Sequence, residues 1–70
     1  MTRQSVSSSN IESIGHDSQT NTLEVAFLNG SVYQYSNVPA NVYVGLMNAS
    51  SHGTYLNAHI KGTYNYRQIS

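Results

Sequence analysis

The segment TLEVAFLNGSVYQY, Thr22 to Tyr35, constrains this chain more than any other. Leu23, Val25 and Phe27 alternate with Glu24 and Ala26, the period of a half-buried strand. A second alternating run begins at Val32, and Asn29-Gly30 between the two marks a hairpin. The length of its loop sets the faces. A two-residue loop, Asn29-Gly30, would pair Phe27 with Val32 and turn Tyr33 and Tyr35 away from Leu23, Val25 and Phe27. A three-residue loop, Leu28-Asn29-Gly30 with Gly30 left-handed, pairs Phe27 with Ser31, Val25 with Tyr33 and Leu23 with Tyr35. Only the second register gathers the large apolar side chains on one face. A chain of 70 residues has too little apolar surface to divide between two. The three-residue loop is therefore expected, with the ring bodies of Tyr33 and Tyr35 in the core.

On either side of this hairpin the pattern is less regular. Residues 1–8 are polar and serine-rich and read as a flexible N-terminal tail, with 68–70 a C-terminal tail and 9–67 a single domain. NIESIGHD is a candidate first strand whose alternation is weak, and DSQTN after it is a turn. Pro39 opens a helix in which Val42, Leu46 and Ala49 fall at helical spacing, flanked by Tyr43 and Met47. Gly45 costs that helix about 1 kcal/mol relative to alanine, and a close approach to the sheet would account for it. Ser50 or Ser51 caps a second, shorter helix over GTYLNAHI, burying Tyr55 and either Leu56 or Ile60. KGTYNYRQI closes the chain as an extended segment that can return to the sheet. The expected fold is small α+β: a three-stranded antiparallel β-meander followed by two helices packed on one face.

Charge and cysteine usage narrow the function. Lys and Arg number 3 and Asp and Glu number 3, so the chain lacks the basic field of a duplex-DNA binder. Glu12, Asp17 and Glu24 fall in the first half, and Lys61 and Arg67 are the charges after residue 30. The absence of cysteine excludes disulfides and thiolate metal sites and fits a reducing, cytoplasmic setting. No apolar run approaches the ~20 residues that span a bilayer, and MTRQSVSSSN has no hydrophobic stretch of a signal peptide.

Catalytic chemistry finds little support. His16, Asp17 and Ser18 are adjacent, and neighbours on a strand point to alternate faces, whereas triad members converge from separate elements. His52 and His59 have Gly53 between them and no carboxylate nearby, so neither a metal nor a cofactor is expected. No glycine-rich phosphate loop occurs. The chain is expected not to be an enzyme.

Recognition remains. Tyr64 and Tyr66, bracketed by Lys61 and Arg67, combine stacking platforms with cations in the manner of a single-stranded nucleic-acid site. His59 joins them if the second helix ends there. RNA or single-stranded nucleic-acid binding through His59, Lys61, Tyr64, Tyr66 and Arg67 is the expected function. The alternative is a protein-interaction or self-association module, since near-neutral charge, abundant tyrosine and an open sheet edge also suit a protein partner. Gly53 and Asn57 read as backbone geometry and helix capping around Tyr55.

The stretches SSNIESIGHD, LEVAF, NGSVYQYSNVP, VYVGLMNASSHGTYLN and IKGTYNY, in this order, resemble the KTSC domain. That module occurs as a stand-alone bacterial or phage protein and at the C-terminus of some lysyl-tRNA synthetases. Its central motif falls on Tyr33, Tyr35, Val38 and Pro39, and its later one on Ala49, Ser51, Gly53, Tyr55 and Asn57, then Ile60 and Tyr64. His16 stands where the family often has tyrosine. The resemblance covers residues 8–67. It implies the family's fold and a role in RNA binding, and it supplies no catalytic residue.

Overall fold

The computed structural model describes residues 1–70. Its elements are β1 (Gln4–Ser5), β2 (Ile11–Asp17), β3 (Thr22–Phe27), β4 (Val32–Tyr35), α1 (Ala40–Asn48), α2 (His52–Tyr55) and β5 (Tyr66–Gln68). A π-helical turn, Leu56–Ile60, continues directly from α2. The strands form one antiparallel sheet in the order β1-β2-β3-β4-β5.

The hairpin takes the three-residue loop. Leu23 pairs with Tyr35, and Val25 with Tyr33. Phe27 N–H donates to Ser31 C=O at 2.8 Å and Gly30 N–H to Phe27 C=O at 3.0 Å, with Gly30 left-handed at φ +95°. The weak alternation of IESIGHD also has a cause. Ile11 pairs with Phe27 and Ser13 with Ala26, so Glu12 is the extra residue of a β-bulge. The bulge resets the alternation, and Ile11 and Ile14 both reach the core face.

The helical layer covers that face. Ile11, Ile14, Leu23, Val25, Tyr35, Val38, Leu46, Leu56 and Ile60 make one buried cluster, with Val42, Tyr43, Met47 and Tyr55 packed on its margin. Leu56 and Ile60 are both buried, where only one was expected. A regular helix brings residues i and i+4 to one face, and the π turn closes with Lys61 N–H donating to Leu56 C=O at 2.9 Å. Pro39 is the cap before α1, extended at ψ 158°, one position short of the first turn predicted for it. Gly45 serves α2, not the sheet: a Cβ there would stand 2.9 Å from Tyr55 Cζ.

The three-stranded meander is β2-β3-β4, and the sheet extends it by one strand on each side. Both added strands use residues assigned to tails. Gln4 and Ser5 pair with Ile14 and Ser13, and Gln68 pairs with Tyr33. Arg3 secures the first of these, donating to Glu24 and to Ser13 Oγ. Glu24 is 7% exposed on the face opposite the helices and also accepts from Gln34 Nε2 at 2.9 Å. Gly15 lets the N-terminal segment cross closely, since a Cβ there would lie 2.6 Å from Thr2 C=O. No helix is long and apolar enough to cross a membrane.

Candidate binding surface

β4 and β5 together build an aromatic wall. The register places Tyr66 opposite Tyr35, and its ring centroid lies 5.7 Å from that of Tyr35 and 5.5 Å from that of Tyr33. Tyr33 in turn meets Phe27 edge-on at 5.6 Å. Exposure is graded across the three tyrosines. Tyr35 is 2% exposed and belongs to the core, Tyr33 is half-buried, and Tyr66 is 61% exposed. Burial, then the neighbouring Tyr33 and Tyr66, push the Tyr35 phenol above its ordinary value.

These rings line a groove of 710 Å³ with Phe27 and Leu28. Its polar lining comes from Ser9, Asn10, Asn29 and Ser31, and Lys61 and Gly62 approach it from the end of the π turn. Asn29 holds the hairpin tip by accepting from Ser31 N–H at 3.0 Å. Lys61 is the one charged residue in the lining.

A second cleft, of 620 Å³, is wholly polar. Ser7, Ser8, Ser9 and Asn10 line it from the N-terminal segment, and Ser50, Ser51, His52, Gly53, Thr54 and Asn57 from the helical side. The helical side is shaped by two contacts. Ser51 Oγ caps α2 by accepting from Thr54 N–H. Gly53 makes room for Asn10, whose Oδ1 would stand 2.9 Å from a Cβ at that position. Capping therefore falls to Ser51, and Asn57 is exposed at the cleft. Ser9 and Asn10 line both hollows.

The five residues predicted for one surface are divided. Lys61 and Tyr66 do share the groove. Tyr64 is half-buried against the core. Arg67 lies opposite Gln34 on the other face of the sheet and donates to its Oε1 at 3.4 Å. His59 packs against Tyr55 with the rings tilted and their centroids 4.5 Å apart, in the helical layer. Phe27, Leu28, Tyr33 and Tyr35 are the groove residues that the composition of the C-terminal segment could not reveal.

The histidines are dispersed. His16 Nε2 donates to Val38 C=O at 2.7 Å and its ring stacks on Tyr43 at 5.2 Å, which ties β2 to the start of α1. His52 Nδ1 donates to Leu46 C=O at 2.9 Å near the end of α1. With His59 on Tyr55, the three have separate structural partners.

Fold and surface together define a small α+β module: a five-stranded antiparallel sheet with two helices on one face and an aromatic groove beside its last strand. The chain belongs to the KTSC domain family, whose model matches residues 7–64. It is similar to a KTSC domain protein of Yersinia pestis, with 41% identity, 99% of this chain and 97% of that one covered, and a TM-score of 0.93. An uncharacterized protein of Stutzerimonas stutzeri is 37% identical over 99% of each chain. Lysine–tRNA ligases of Trichormus variabilis and Nostoc punctiforme are 44% and 40% identical over 86% of this chain. The match spans 11% of each ligase, so the chain corresponds to a small part of those proteins. The KTSC domain is a small module and not a known catalytic domain.

Proposed function

We propose that the chain is a non-catalytic, cytoplasmic binding module that takes up single-stranded nucleic acid, RNA foremost, in the groove of Tyr33, Tyr35 and Tyr66. The observation that carries this reading is the graded aromatic wall beside Lys61, in a lining that holds no carboxylate. Base-on-aromatic stacking is worth about 1–3 kcal/mol per base and needs no particular sequence. A base can stack on an exposed ring already braced from behind, and Tyr66 resting on Tyr33 and Tyr35 supplies one. The occurrence of a similar segment in enzymes named for joining lysine to tRNA adds weight.

The test is an amide NMR titration with a short mixed-sequence RNA at low and at moderate salt. Shifts centred on Tyr33, Lys61 and Tyr66 are expected. Affinity should fall with a log–log salt slope of about −0.7 for each phosphate contacted. Tyr66→Ala should weaken binding about 5- to 150-fold, and Lys61→Gln should flatten the salt dependence. Silence at both salts with the protein folded would overturn the reading.

A second reading, association with a protein or with another copy of the chain, has one observation in its favour. β5 is an edge strand, and Tyr66 and Ile69 on it and beside it are 61% and 45% exposed. Such an edge accepts a further strand. That complex would scarcely respond to salt, which separates it from the first reading.

A further inference from the structure

We propose that the two hollows form one nucleotide track, with a base in the aromatic groove and the adjoining ribose in the polar cleft, so that the chain prefers RNA to DNA. This inference rests on the function proposed above and goes further by assigning the second cleft. The hollows adjoin, because Ser9 and Asn10 line both of them. Each has a volume in the range that holds a small organic ligand, about 300–1,000 Å³, at 710 and 620 Å³.

Their chemistries are complementary in the way a nucleotide's own parts are. One hollow is walled by rings. The other contains no hydrophobic side chain and is lined by hydroxyls and amides together with His52 and Gly53; of these Ser9, Ser50 and Asn57 are exposed. A ribose 2′-hydroxyl both donates and accepts, and it is the group by which a protein separates RNA from DNA. Serine hydroxyls and an asparagine amide can serve it in both senses.

Charge agrees with this assignment. Neither lining includes an aspartate or glutamate, and Lys61 stands at the aromatic end, so a phosphodiester crossing Ser9 and Asn10 meets no repelling carboxylate. Glu24 is held on the opposite face of the sheet by Arg3 and Gln34. A protein partner is less well matched, because the polar cleft offers no apolar pocket for an anchoring side chain.

The experiment compares single-stranded hexanucleotides of one mixed sequence, as RNA and as DNA, by amide titration of the full chain. RNA should bind about three- to tenfold tighter, the worth of one hydrogen bond in the usual range. RNA should shift the amides of Ser50–Thr54 and Asn57 as well as those of the groove, and DNA the groove alone. The double variant Ser50→Ala with Asn57→Ala should bring RNA down to the affinity for DNA, whereas Tyr66→Ala should weaken both. Ser51 is kept because it caps α2. Equal affinity for RNA and DNA, with shifts confined to the groove, would overturn the ribose assignment and leave the proposed function standing. Silence from both oligomers, with the protein folded, would overturn the two together.

Discussion

Gly45 of α1 and Tyr55 of α2 meet so closely that any larger residue at position 45 would displace the tyrosine ring: a Cβ there would lie 2.9 Å from Tyr55 Cζ. The helix gives up about 1 kcal/mol of propensity for this contact. Gly45→Ala should nonetheless destabilise the fold, because overpacking costs about 1–3 kcal/mol and Tyr55 is wedged between Gly45 and His59. Thermal melts of the two proteins decide it. A higher melting temperature for the alanine variant would mean that propensity outweighs packing at this crossing.

Arg3 and Glu24 make the N-terminal segment part of the domain. Arg3→Ala should cost about 1–3 kcal/mol at neutral pH, since it deprives a buried carboxylate of its charged partner. Urea unfolding of this variant against the parent measures the effect, and equal midpoints would show that the Arg3–Glu24 pair contributes nothing to stability.

The same carboxylate should make stability fall in acid. Burial alone pushes Glu24 upward, but hydrogen bonds from Gln34 and Arg3, with the Arg3 charge, outweigh it and leave its pKa below the ordinary 4.5. The folded state therefore binds this proton less tightly than the unfolded chain does. The resulting stabilisation is complete above pH 4.5 and is lost as the pH falls through the lower folded value. Glu24→Gln should show a shallower loss over that window in parallel pH-dependent unfolding curves.

Tyr35 gives the opposite limb. Its phenol is held above the ordinary 10.0 by burial and by its tyrosine neighbours, so the folded state keeps a proton that the unfolded chain releases. This contribution is complete below pH 10.0 and disappears as the pH rises through the folded value. Tyr35→Phe should remove part of the alkaline loss of stability seen by circular dichroism. An unchanged alkaline limb would assign that loss to other groups.

Gly30 isolates the backbone contribution of the hairpin. Its φ is +95° and nothing lies within 4 Å of a Cβ there, so Gly30→Ala adds strain without a clash. The expected cost is about 1–2 kcal/mol, read from denaturant midpoints. A neutral result would mean that the loop can relax into another turn.

These residues also show where sequence reasoning reached and where it stopped. The β3–β4 register was legible because only one loop length puts Tyr33 and Tyr35 with Leu23 and Val25. β1 was not, because Gln4 and Ser5 have no apolar alternation of their own. What holds them is backbone pairing with β2, backed by the contact of Arg3 with a carboxylate 21 positions away. β5 is exposed throughout and takes its form from β4. Of the residues expected to share one surface, Lys61 and Tyr66 are the two that line the groove. Arg67 was misplaced because neighbours along a strand face opposite ways, and this applies only once residues 66–68 are known to be extended. His59 lies outside the groove lining because its ring packs, tilted, against Tyr55 within the helical layer, a pairing that charge and composition do not encode.

The course of the N-terminal segment bears on how such a module can be carried. Thr2 crosses Gly15, and Arg3 reaches Glu24, on the face of the sheet opposite the helices. The aromatic groove of Tyr33 and Tyr66 opens on the helical face. Anything joined ahead of Met1 would thus be attached behind the sheet, which would stand between the tether and the groove.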